Sequence, residues 1–229
     1  MQIRDVIAEL KSMGNPKAAA GMARYGIKAD RALGVSIPKL QSLAKKIGKN
    51  HKLAGALWSS AVHEARILAC MIDDPQRITA DRLDRWATEF DSWDLCDQCC
   101  NRLFSKTPFA RQKAMAWAGR PEEFVKRAGF VLMAVLAVHD KKAPDKQFDP
   151  FFKRIKAEAD DERNFVKKAV NWALRQIGKR NRSLNKKAIR VAEEIRQFES
   201  KAARWVARDA LRELRSENVQ KRLSGHVTS

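Results

Sequence analysis

The sequence predicts an all-α protein, a solenoid of stacked helix pairs, and three observations carry that expectation. Apolar residues recur at helical spacing along most of the chain, and no segment alternates as a half-buried strand would. The connections are short and punctuated by proline, as at Asp74-Pro75, Thr107-Pro108, Ala143-Pro144 and Asp149-Pro150. A pattern also returns. Phe124-Val125-Lys126-Arg127-Ala128 recurs 41 residues later as Phe165-Val166-Lys167-Lys168-Ala169, and Ala173-Leu174-Arg175-Gln176-Ile177 recurs 37 residues later as Ala210-Leu211-Arg212-Glu213-Leu214. These offsets lie near the ~40–47-residue period of HEAT and armadillo helix pairs. The expectation is an α-solenoid of HEAT-like repeats whose concave basic face follows an extended ligand.

Taken in order, Ile3, Val6, Ile7 and Leu10 mark a first helix, closed by Gly14-Asn15-Pro16. Ser36 is placed to cap a helix with Ile37 and Pro38 in its first turn, where proline's missing N–H does no harm. Further helices are expected to start at Thr79, Ser92, Pro108, Pro121, Asp161 and Ser183. The one from Pro121 to His139 is apolar nearly all round, as suits a helix inside a stack. A single domain over residues 1–223 is expected, with 224–229 a short flexible tail.

Lys and Arg number 46 against 27 Asp and Glu, a formal charge of +19 over 229 residues. Such a surplus suits a polyanionic partner, since neutralising phosphates releases counterions and makes affinity fall steeply with salt. A merely cationic protein is the blander reading. Charges interrupt the first residues, so no signal peptide is readable. The longest apolar stretch, 130–138, falls far short of the ~20 residues that span a bilayer. A cytoplasmic protein without a membrane partner is expected. Cys96-x-x-Cys99 lacks the second pair or nearby histidine of a zinc site, so no metal is expected. Cys96, Cys99 and Cys100 fall in the apolar arc of their helix beside Leu95, Leu103 and Phe104, and read, with Cys70, as core thiols of a reducing cytosol.

The candidate site residues follow from helical geometry at about 100° per residue. Between Asp161 and Gly178, Val166, Ala169, Val170, Ala173, Leu174 and Ile177 form an apolar arc, and Lys168, Arg175 and Lys179 a basic stripe. Trp172 falls on the seam between them. It either shows its ring face to a nucleotide or packs its edge against the next repeat. On the helix from Ser92, Trp93 ends the apolar arc and Asp97 opens the polar side with Asn101, Asp94 and Gln98. Trp93 and Asp97 are i,i+4 neighbours, so indole and carboxylate share a patch. Asp94 lies in the first turn, where the helix dipole favours an anion. Asp97 is deeper, and a carboxylate facing a polyanion opposes binding. It serves either an intramolecular salt bridge or chemistry on a cationic lesion. Arg127, inside an apolar helix, must meet an anion, either a carboxylate such as Asp97 or a phosphate. Lys201, Arg204, Arg208, Arg212 and Arg215 make a ridge that Asp209, Glu213 and Glu217 partly neutralise. It reads as a solvated face first and an outer phosphate contact second.

At these residues the chain resembles the AlkD-like DNA alkylation repair family, the HEAT-like repeat DNA glycosylases. The resemblance runs from about Tyr25 to Leu223, through Gly34-Val35-Ser36-Ile37-Pro38, Leu57-Trp58, Trp93-Asp94-x-x-Asp97, Arg127 and Trp172-x-x-Arg175. Cys96 within the motif and the Cys99-Cys100 pair after it depart from the family pattern. The resemblance implies a glycosylase that excises cationic N3- and N7-alkylated purines from double-stranded DNA. It implies Asp97 as the catalytic carboxylate, Trp93 and Trp172 flanking the lesion's sugar-phosphate, and Arg127 and Arg175 on the backbone or orienting the site. Lys168 and Lys179 would extend the DNA contact, no cofactor would be required, and a monomer is expected. Non-catalytic binders occur in the same family, so a binder of distorted or branched DNA is the alternative. A helical adaptor for an acidic protein is a second one.

Overall fold

The computed structural model describes residues 2–27 and 31–225, and among these it contains fourteen α-helices and no strand. The last four residues of the expected tail lie outside the described residues, and Ser224 still belongs to the final helix. The chain falls into two compact units, Met1–Pro108 and Phe109–Ser229. The first holds α1 (Ile3–Ser12), α2 (Pro16–Met22), α3 (Ile37–Ile47), α4 (His51–Ser59), α5 (His63–Ile72), α6 (Ala80–Thr88) and α7 (Trp93–Arg102). The second holds α8 (Ala110–Trp117), α9 (Glu123–His139), α10 (Asp149–Ala157), α11 (Asn164–Gly178), α12 (Arg182–Arg196), α13 (Lys201–Leu214) and α14 (Glu217–Ser224).

Side-chain caps explain many of the starts. Asn15, Asn50 and Thr79 accept from the backbone N–H three residues on, at 3.0, 3.0 and 3.2 Å, and satisfy donors that the first turn cannot pair internally. Ser36 and Ser92 stand at N-cap positions as expected, but neither side chain accepts a capping bond. Ser183 is not the cap of α12. Asn181 is, accepting from Leu184 N at 2.9 Å, and the helix begins one residue before Ser183. Asp161 does not open α11 either. It accepts from the N–H of Arg163 at 3.1 Å and binds that guanidinium, closing a turn ahead of the helix.

In unit one, Leu10, Leu40, Leu57, Leu68, Ile72 and Leu95 are fully buried. Trp58 and Trp86 stack with centroids 4.0 Å apart, and the Trp58 indole N–H donates to Glu89 at 2.8 Å, so Trp58 is a packing residue. Buried Glu64 accepts backbone N–H bonds from Leu33, Gly34 and Val35 at 2.8, 2.7 and 3.2 Å. That holds the start of the Gly-Val-Ser-Ile-Pro segment against α5. Gly34 has φ +74°, and a Cβ there would run into the Asn15 carbonyl, so both conformation and space require glycine.

Unit two shows why its repeat is legible. Phe124 and Phe165, first in the two matching pentapeptides, open α9 and α11 and touch with ring centroids 5.5 Å apart. The α9 helix is buried through Gly129 to Ala137, as its all-round apolar sequence predicts, and packs on α8 and α11. Gly129 lets α9 approach closely, since a Cβ there would meet the backbone of Ala118.

The four cysteines are buried as expected, but Cys70 and Cys99 are not thiols. They form a disulfide joining α5 to α7, with Cα atoms 5.3 Å apart, and Cys96 and Cys100 remain free. Helical arcs place cysteines in a core without revealing which two meet.

Candidate active site

The α7 helix has two faces of different chemistry. Leu95, Cys96, Cys99 and Cys100 are fully buried on one. Asp94, Asp97 and Gln98 are half-buried on the other, as the angular reading predicts, and Trp93, expected at the end of the apolar arc, is half-buried too. Asp97 lies one turn after Trp93 and is itself engaged by neighbouring groups.

Two long-range contacts fix the start of this helix. The Trp93 indole N–H donates to the carbonyl of Tyr25 at 2.8 Å, and His63 Nε2 lies 2.9 Å from Asp94 Oδ2. His63 is only 5% exposed. Its burial opposes a charge, but the Asp94 hydrogen bond and nearby carboxylates prevail and raise its pKa above 6.5. Burial likewise pushes Asp94 up, while bonding to His63 holds it below the usual carboxylate range. Asp94 therefore has an ion-pair partner as well as the helix dipole. Tyr25, the one tyrosine of the chain, is 68% exposed beside this indole. Sequence reasoning missed both His63 and Tyr25 as part of this constellation. Partners 31 and 68 residues away leave no local pattern to read.

The remaining candidates belong to unit two. Arg127 is buried on α9 and donates through Nη1 to the carbonyl of Phe165 at 2.7 Å, so part of its hydrogen-bonding capacity joins successive repeats. On α11, Trp172 is half-buried between buried Asn171 and Ala173, and Asn171 Nδ2 donates to Val206 O at 3.1 Å. The basic stripe divides in two. Lys168 is exposed. Arg175 and Lys179 both bind Glu213, and Arg175 lies 3.7 Å from Asp209. Burial raises the Glu213 pKa, but those two cations outweigh it and leave the carboxyl below its ordinary value.

The family model described as DNA alkylation repair enzyme matches residues 6–214. No protein of curated function matches the sequence. Among solved structures, one described as a new family related to the HEAT-like repeat DNA glycosylases, with affinity for branched DNA structures, is similar at 21% identity and a TM-score of 0.77. That match covers 91% of this chain and 94% of the other. A second, described as a predicted DNA alkylation repair enzyme from Enterococcus faecalis, shares 17% identity at a TM-score of 0.64, covering 90% and 98%. At these identities the likeness establishes the HEAT-like repeat fold.

Proposed function

Because this chain belongs to the DNA alkylation repair enzyme family, we propose that it is a DNA glycosylase hydrolysing the N-glycosidic bond of N3- and N7-alkylated purines in double-stranded DNA. The observation that carries this reading is the Trp93–Asp97 pair, a carboxylate one turn from an indole on the half-buried face of α7 in a chain of charge +19.

Ordinary glycosidases use two carboxyl groups, one of which protonates the leaving group. An N3- or N7-alkylpurine already carries the positive charge and departs as a neutral base, so one anion suffices. As the C1′–N bond breaks, Asp97 stabilises the developing oxocarbenium ion and positions or deprotonates the attacking water. Opposite charges ~4 Å apart at an effective dielectric of ~20 attract by about 4 kcal/mol, an upper bound of roughly three decades in rate. Trp93 and Trp172 are proposed to present indole faces to the lesion's sugar, adding ~0.5–2 kcal/mol through cation–π attraction. Lys168 is proposed as a phosphate contact. Arg127, Arg175 and Lys179 are proposed to act on the backbone while also holding their present partners.

The test is release of N3-methyladenine and N7-methylguanine from alkylated duplex. Asp97→Asn should reduce release at least about a hundredfold, the loss of ~3 kcal/mol of transition-state stabilisation, while leaving DNA affinity equal or tighter. Wild-type release by that variant would remove Asp97 from the reaction. A second reading, a non-catalytic binder of branched DNA, draws on the description of the similar structure. It requires salt-sensitive binding with no base release from either protein.

A further inference from the structure

On α13 a basic groove has chemistry that the glycosylase reading leaves unused. Its volume is about 750 Å³, with Trp205 and Leu211 in the lining and Lys201, Arg204 and Arg208 among its cations. The buried residues of α13 are Ala202, Ala203, Val206, Ala207, Ala210, Leu211 and Leu214, so Leu211 reaches the groove only at the edge of the core. Trp205 is half-buried beside that face, with Lys167 Nζ 5.4 Å from its ring centre. One repeat earlier, 37 residues back, the corresponding position is the exposed Lys168. Where that repeat carries a solvated cation, this one carries an indole at the edge of the core face.

The cations around it are unequal. Arg212 is held by Asp209, and Arg196 and Arg215 share Glu193. Among the described residues no carboxylate forms an ion pair with Lys201, Arg204 or Arg208, and all three are exposed. Their spacing of three and four residues aligns them along one side of the helix, over about 10 Å at ~1.5 Å rise per residue. A flat aromatic ring with unneutralised cations beside it suits a base with its flanking phosphates. A paired base within a duplex keeps its faces in the stack and cannot offer one to an indole. The occupant must therefore be unpaired.

We propose that this groove binds a short single-stranded DNA segment, one base stacked on Trp205 and the adjoining phosphates on Lys201, Arg204 and Arg208. The proposal rests on DNA being the substrate but not on glycosylase chemistry. It assigns to unit two a preference for duplex carrying an unpaired tail or gap.

The experiment compares binding of a blunt duplex with the same duplex bearing an oligo(dT) tail. Wild type, Trp205→Leu, Trp205→Phe and the double variant Arg204→Gln/Arg208→Gln are measured. Wild type should prefer the tailed duplex by about fivefold to tenfold, within the range that one base–aromatic stack supplies. Trp205→Leu and the double arginine variant should reduce that ratio to about one, and Trp205→Phe should keep most of it. The arginine variant removes no core side chain, so it tests the groove even if Trp205→Leu unfolds. In that variant the tail's contribution to the salt slope should fall by about 1.4, at ~0.7 per single-strand phosphate. Equal weakening on both probes, or no tail preference in wild type, overturns the proposal. Base release from alkylated duplex, measured on the same preparations, separates the two readings. Tail preference without release sinks only the glycosylase, and release without tail preference sinks only the groove.

Discussion

His63 and Asp94 illustrate what single residues contribute. Buried His63 lies 2.9 Å from half-buried Asp94 of α7, one turn from Asp97. The His63 pKa is raised above 6.5, so its stabilising contribution is complete below the unfolded value and lost as pH rises through the folded one. The Asp94 pKa is depressed below 3.8, so its contribution holds above that value and is lost as pH falls through the folded one. The two act together between those limits. His63→Gln should lower Tm by several degrees at about pH 5.5, at ~2–4 °C per kcal/mol. The deficit should shrink once pH exceeds the raised histidine pKa, and a constant deficit from about pH 5 to 9 would show that the pair's charge is not involved. Trp93 and Asp97 were readable in the sequence because i,i+4 spacing is local. His63 was not, since nothing in its own neighbourhood announces an acidic partner on another helix.

At the scale of elements, hydrogen bonds between successive repeats keep a regular step. In unit one the bonds Leu33–Glu64, Trp58–Glu89, His63–Asp94 and Arg82–His51 all span 31 residues. In unit two Arg127–Phe165, Lys156–Glu194, Arg175–Glu213 and Lys187–Asp149 span 38. Unit two also carries a visible sequence repeat, at the nearby offset of 41 residues that separates Phe124 from Phe165. Unit one carries none, since its bonds join unlike residues at each level. The Cys70–Cys99 bond adds a covalent tie between α5 and α7, closing a loop of separation 29. Chain-entropy arguments give such a loop about 3.5 kcal/mol. Reduction, or Cys70→Ala, should lower Tm by roughly 7–14 °C at ~2–4 °C per kcal/mol. A melting curve indifferent to reductant would mean that the cysteines only pack.

Across the whole molecule, the charge of +19 is distributed unevenly between cations already paired and cations that are not. Arg175 and Lys179 neutralise Glu213, whereas exposed Lys168 has no ion-paired carboxylate among the described residues. Lys168→Gln should leave Tm unchanged and reduce the slope of log affinity against log salt on duplex by ~0.9, the value of one phosphate contact. Arg175→Gln should instead destabilise by about 1–3 kcal/mol, because it strips a half-buried carboxylate of a partner. A slope unaltered by Lys168→Gln would place that residue away from the DNA. Among the described residues no helix is long and apolar enough to cross a membrane.

Helical class, the unit-two repeat, the cationic surplus and the Trp93–Asp97 patch were all present in the linear chain, because each arises from residues within a few turns or from composition. The disulfide partner of Cys99, the histidine beside Asp94, and the carboxylates that occupy Arg175 and Lys179 needed three dimensions. Each joins or gathers side chains from separate helices, and helical periodicity says which way a residue faces without saying what it faces.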